Sequence, residues 1–377
     1  MVREGYHGGG LRPSAVAILV AALIACTDQA AVPPSPTPFA EGQTQAADLR
    51  TRLDLLLGEH VMIVAKESAA AVNRSDEYPA YTALLTTNAS DLANVFGSAF
   101  GRTAASQFSK SWSTQNGLLV DYAIGVVTHA DDKASASVKG LTGTFATDFA
   151  QLLSSVSGVS QDTVTHLVRE QVVDDKAFID DVFTSRYPPY YADLHTAYTH
   201  TARLGDVLAS QIARKFPDRF PGDPTLLGAD LRVSFNLLLQ EHAYTSTMAT
   251  DSTVAQRADE KAAAQAALKS GAGLLSAALG RLYDTGASAE LDRLWAVRDK
   301  MLMDYASGFD PAPDNLTNGF VSMFAYAAHV DRLHVLLQVQ ATVKVIDDQK
   351  ARSSKTLAGD DRAAATAMQP IADSLQG

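Results

Sequence analysis

From Leu53 onward apolar side chains return every three or four residues: Leu53, Leu56, His60, Ile63 and Val64 share one stripe, and Phe235, Leu238, His242 and Thr245 repeat it. That spacing matches the turn of an α-helix and places His60 and His242 in the middle of a face destined for the interior. The same period runs through Phe108, Trp112, Leu119 and Tyr122, then Phe145, Phe149, Leu152 and Leu153, then Leu204, Val207, Leu208 and Ile212. Strand-like alternation is nowhere sustained. Turn residues fall between the runs, at Asp131 and Asp132, Gly158, Pro188 and Pro189, and Pro311 and Pro313. The pattern predicts an all-α chain.

The pattern also repeats. Leu49, Arg50, Leu55, Leu56, Leu57, Glu59 and His60 match Leu231, Arg232, Leu237, Leu238, Leu239, Glu241 and His242 at an offset of 182. Gly97, Trp112, Asp121 and Tyr122 match Gly280, Trp295, Asp304 and Tyr305 at 183, and Ile179, Asp180, Asp181, Asp206 and Leu208 match Ile346, Asp347, Asp348, Asp373 and Leu375 at 167. Each copy is long enough to enclose a core of its own. The expectation is two tandem helical-bundle domains of five to six helices each, at residues 47–216 and 230–377. The segment 217–229 between them carries Pro217, Pro221, Gly222 and Pro224, which interrupt any helix crossing it, and reads as a linker.

The amino-terminal stretch has a different character. Arg3 and Arg12 precede an apolar run from Ser14 to Ala25, the order of a secretory signal, and the run is too short to span a bilayer. It ends in Leu23, Ile24, Ala25 and Cys26, which resembles the lipobox of bacterial lipoproteins. The resemblance implies that residues 1–25 are a signal peptide removed on export. It also implies that Cys26 carries a diacylglyceryl group on sulfur and an N-acyl chain such as palmitate. Residues 26–46, with Pro33, Pro34, Pro36 and Pro38, then form a Pro/Ala/Gln-rich tether. The reading places the protein outside the cytoplasm of a bacterium, held to the cell membrane by its lipid.

Composition narrows the remaining chemistry. The chain has 377 residues and a net charge of -11, the opposite of a nucleic-acid footprint, so no nucleic-acid partner is expected. Its single cysteine excludes a disulfide framework and a zinc site built from several thiolates. The repeated Glu-His pairs, Glu59 with His60 and Glu241 with His242, use the side chains that metal-binding bundles use. Adjacent helical residues diverge by about 100°, however, so a metal would need further ligands from other helices. The plainer reading is a core histidine held by a hydrogen bond, with Asp121 and Asp304 or a tyrosine hydroxyl as its partner. Trp112 with Tyr122, and Trp295 with Tyr305, read as packing ridges. Asp180 with Asp181, and Asp347 with Asp348, read as helix-face charge or caps. Tyr187, Tyr190, Tyr191, Tyr198 and His200 form a cluster absent from the second copy, and Tyr191, Tyr198 and His200 mark the first place to look for a pocket; the rival reading is a loop packed on the bundle. No local catalytic, nucleotide-binding or calcium-binding motif occurs, and no catalytic residue is assigned.

The repeated block as a whole, roughly residues 49–377, is similar to uncharacterised extracytoplasmic bacterial proteins made of tandem helical domains. The resemblance implies the fold and the envelope location and assigns no active site. Some of those proteins are fused to modules named after the amino-terminal domain of copper amine oxidase; such modules are absent here and no copper chemistry is carried over. The sequence therefore points to a membrane-anchored binding or scaffolding module for an unidentified envelope protein or small ligand, with no cofactor beyond the lipid on Cys26. The alternative is a metal-binding bundle using Glu59, His60, Glu241 and His242.

Overall fold

Thr44, in an extended conformation, accepts a hydrogen bond from the Ala47 backbone N–H at 3.1 Å and so starts the first long helix. The computed structural model describes residues 38–280, 285–309, 321 and 330–375; the signal segment and Cys26 lie outside the described residues. After the short α1 (Pro38–Gly42), the first half comprises α2 (Gln45–Val72), α3 (Tyr78–Phe100), α4 (Arg102–Val127), α5 (Asp131–Gly140), α6 (Ala146–Ser157), α7 (Gln161–Phe183) and α8 (Tyr187–Lys215). A π-helical turn at Leu141–Phe145 joins α5 to α6 without a break in the helical backbone. The second half comprises α9 (Leu227–Val254), α10 (Ala258–Gly280), α11 (Thr285–Ser307), α12 (Arg332–Ala351), α13 (Ser354–Thr366) and α14 (Gln369–Ser374). No strand occurs among the described residues, and the chain is all-α as its periodicity predicts.

Local chemistry explains the boundaries. Pro188 and Pro189 occupy the first turn of α8, where a missing N–H costs nothing, so the tyrosine-rich segment read as a possible loop is the start of a helix. Gly158 ends α6 in the left-handed conformation at φ 83°. The repeat is visible in the backbone too. Arg74 and Gln256, at the offset of 182, both turn with positive φ (50° and 58°), and so do Ser185 and Arg352 at 167 (56° and 52°). The turn from α2 to α3 therefore has the geometry of the turn from α9 to α10.

The helices α2 and α9 lie side by side at the centre. Val61 to Ala65 on α2 are five consecutive buried residues, so this helix has no polar face along that turn and needs neighbours all round. One half cannot supply them. Accordingly α8 packs on its own α2 and also on α10 of the second half, while α13 packs on its own α9 and also on α3 of the first. One buried cluster runs from Leu49 to Leu375, within a single compact unit spanning residues 36–377. The halves 47–216 and 230–377 thus share a core instead of enclosing one each, because α8 and α13 each cross to the other half's first hairpin. Residues 217–229 are held in place. The Ala46 N–H donates to the Pro221 carbonyl at 3.2 Å, and the Arg50 guanidinium to the Pro224 carbonyl at 2.6 Å.

Candidate functional site

Each central helix carries its Glu-His pair into a different environment. His60 is buried, stands edge-on to Trp112 at 5.2 Å, and has no hydrogen-bond partner on either ring nitrogen among the described residues. Burial pushes its pKa down to about 4, so the ring is neutral at pH 7. His242 takes the equivalent place against Trp295 at 4.7 Å, but its Nε2 meets Asp299 at 3.0 Å. Arg298 donates to the same carboxylate oxygen at 3.1 Å. Against the opposing effect of burial, His242 and Arg298 hold the Asp299 carboxyl below its ordinary range. At the offset of 183 the first half has Gln115 and Asn116, a neutral set in place of a charged one.

Asp121 and Asp304, the partners expected for these histidines, do not reach them. They pair with Lys133 at 2.8 Å and Lys300 at 2.5 Å. Each lies five residues beyond Asn116 or Asp299, which on a helix is about 140° of rotation and about 7.5 Å of rise. The Asp-Asp pairs have packing roles: the Tyr122 hydroxyl donates to Asp180, and the Tyr305 hydroxyl donates to Asp347 at 2.6 Å. Trp112 and Tyr122, like Trp295 and Tyr305, are buried ridges.

The two glutamates differ more. Glu59 accepts from Asn88 Nδ2 at 2.8 Å, from the Tyr244 hydroxyl at 3.2 Å and from Arg362 Nε at 2.9 Å, and Arg362 also grips Asp91. Burial raises the Glu59 pKa although Arg362 opposes the shift. Glu241 has one side-chain partner among the described residues, His195 Nδ1 at 2.7 Å, and this hydrogen bond raises the His195 pKa. His195 stands at the position of Arg362 by the offset of 167. Each glutamate is therefore met by a residue from a helix of the other half, Glu59 from α13 and Glu241 from α8.

Around Glu241 the neighbours have shrunk. By the offset of 183, Leu84, Asn88 and Asp91 on α3 correspond to Ala267, Gly271 and Leu274 on α10. A cavity of about 740 Å³ opens between α8, α9 and α10; the cavity of about 260 Å³ beside Glu59 overlaps the matching positions only at Leu56, Glu59, Asp91 and Arg362. Its wall is largely apolar, with Ala263, Ala266 and Leu238 opposite Tyr187 and Tyr191. Glu241, His195, Asp259, Thr245 and His242 supply polar groups, and no lysine or arginine lines it among the described residues. The buried Nδ1 of His242 has no partner among the described residues and faces Gly271, where a Cβ would stand 3.8 Å away. The Tyr191 hydroxyl, on α8, is likewise buried and without a partner among the described residues. Because Nε2 faces an acceptor-only carboxylate it carries a proton, which leaves Nδ1 as the ring nitrogen open to a further partner. The volume is that of a small-molecule site, and no serine, threonine or cysteine is hydrogen-bonded to His242 Nδ1 among the described residues.

Of the three residues singled out for a pocket, Tyr191 lines this cavity. Tyr198 does not: its hydroxyl donates to Gln240 Oε1 at 2.8 Å, and its ring fills the space left by Gly58, where a Cβ would come within 2.6 Å. His200 lies on another face of α8, bonded to Asp174 at 2.8 Å beside a cavity of about 20 Å³. The four residues considered as metal ligands are not brought together. Glu59 is engaged by Arg362, His60 faces Trp112, and no group of three or more His, Cys, Asp or Glu side chains is placed to hold a metal ion among the described residues. Sequence reasoning missed the small residues of α10. The signal was available in a position-by-position comparison of the copies, where Leu84 becomes Ala267 and Asn88 becomes Gly271. Compared with protein-family models, curated proteins and solved structures, the chain matches none.

Proposed function

We propose that this protein is a binding module of the bacterial cell envelope, anchored through lipid on Cys26, whose body takes up a small and largely apolar ligand between α8, α9 and α10. The observation that carries the reading is the contrast within one molecule: of two equivalent glutamates, Glu59 is enclosed by Asn88, Arg362 and the Asp91 that Arg362 grips, and Glu241 borders an open cavity of about 740 Å³. A core that merely packed would fill both, since an apolar void forfeits contacts on all its walls. The lipobox and the proline-rich sequence between Cys26 and α1 support the location, while the rest of the stretch expected as a tether, to residue 46, is helical from Pro38 to Gly42 and again from Gln45. No helix among the described residues is long and apolar enough to cross a membrane, and in this reading the acyl chains are the attachment, two or more of them giving stable anchoring.

Two experiments test the proposal. A thermal-shift screen of apolar small molecules should find stabilising compounds whose effect is lost in Gly271→Leu, which fills the cleft. Stabilisation that survives Gly271→Leu would reject the site. Cys26→Ser should release the protein from the membrane fraction or leave its signal uncleaved; normal processing with full membrane retention would reject the anchor.

A further inference from the structure

We infer that the ligand of this cleft carries a cationic head group, an ammonium or guanidinium on an apolar body, seated on Glu241. The inference rests on the cleft being a ligand site and adds the chemistry of the ligand. The first half shows what the glutamate at this place accepts: Arg362 sets its guanidinium on Glu59, with Nε 2.9 Å from Oε1. In the second half the shorter His195 reaches Oε1 of Glu241 at 2.7 Å, and no side chain among the described residues bonds the second oxygen. Where Arg362 finds a second carboxylate in Asp91, the second half has Leu274 and open volume. A ligand cation completes Glu241 as Arg362 completes Glu59.

The other polar groups agree with a head that only donates hydrogen bonds. Ammonium and guanidinium have donors and no acceptor. The Asp259 carboxylate and the Thr245 hydroxyl, which line the cleft, can accept from such a head, and His242 Nδ1 is buried without a partner among the described residues. Tyr187 and Tyr191 line the α8 side, and aromatic rings attract cations as well. An anionic head would meet Glu241 and Asp259 with no lysine or arginine among the described lining residues, and would be repelled.

Three rigid isosteres separate the possibilities: 1-adamantanemethylamine, 1-adamantanemethanol and 1-adamantanecarboxylate, titrated calorimetrically into the folded protein at pH 7. The amine is expected to bind about ten-fold more tightly than the alcohol, the difference that one charge-assisted hydrogen bond supplies, with the carboxylate weakest. The isosteric Glu241→Gln, its fold checked by circular dichroism, should abolish the advantage of the amine and leave the alcohol within about two-fold of its original affinity. If the alcohol or the carboxylate binds as tightly as the amine and Gly271→Leu abolishes that binding, the cation is overturned while the cleft stands. If none of the three binds, or if the amine binds Gly271→Leu unchanged, the cleft reading falls and the cation with it.

Discussion

Arg50 and Arg232 are exchanged partners: Arg50 on α2 reaches Asp230 on α9, and Arg232 on α9 reaches Asp48 on α2. Each is the other's counterpart at the offset of 182, and so are the two aspartates. Each arginine also holds the last helix of its own half, Arg50 through Asp206 and Arg232 through Asp373. Even the backbone acceptors correspond, the Pro224 carbonyl for Arg50 and the Gly42 carbonyl for Arg232. Reciprocal contacts of this kind are what a twofold-symmetric dimer shows, here built within one chain.

The first prediction follows from that exchange. Arg50→Ala and Arg232→Ala should each cost on the order of 1–2 kcal/mol, a value kept low because the aspartates are partly exposed. Calorimetry of the intact protein should show one transition, with equal calorimetric and van't Hoff enthalpies. Two separable transitions would mean that the halves fold independently.

Asp54 is fully buried, its carboxylate has no hydrogen-bond partner among the described residues, and Arg50 Nε is 3.8 Å away. Burial and then the nearby Asp206 raise its pKa well above the ordinary range. The second half has Asn236 here, whose Nδ2 donates to Asp373 at 2.9 Å. Asp54→Asn should therefore stabilise the protein at pH 7 by about 1 kcal/mol, measured by urea unfolding. A raised folded pKa means a penalty at neutral pH that is relieved as pH falls through that pKa, so the advantage of the variant should shrink in acid. A destabilising Asp54→Asn would refute the assignment.

His60 titrates with the opposite consequence. Its folded pKa of about 4 lies below the ordinary histidine value of 6.5, so between those values the unfolded chain takes up a proton that the folded protein refuses. Wild type should lose stability relative to His60→Gln as pH falls from about 6.5 towards 4, with an upper limit of about 3 kcal/mol for the full interval. A difference between the two proteins that stays flat over this range would show that the imidazole is not buried and unpaired.

Much of the fold is legible in the residues, and the exceptions have physical causes. Apolar spacing identifies helices because a buried stripe must recur with the helical turn, and the matched Trp, Tyr and Asp positions mark the copies. The exchange of α8 and α13 is not legible, and Asp48 and Asp230 look like surface charge until each faces the other half's arginine. Linear distance hides Glu59 from Arg362. The site was half legible: the tyrosines of α8 pointed to Tyr191, but an opening made by what is missing from Ala267 and Gly271 leaves no motif. His200 and Tyr198 misled because one α8 helix presents them to different neighbours.

The equivalence of the two clefts is tested most directly by converting the open one into the filled one. The triple variant Gly271→Asn, Leu274→Asp and His195→Arg gives Glu241 counterparts of Asn88, Asp91 and Arg362. Titrated with 1-adamantanemethylamine, the variant should remain folded, melt within a few degrees of wild type and bind at least about ten-fold more weakly, the loss expected when an internal cation takes the place of the ligand head. A folded variant that binds the amine as wild type does, or a variant that cannot fold with the first half's own residues in place, would contradict the account.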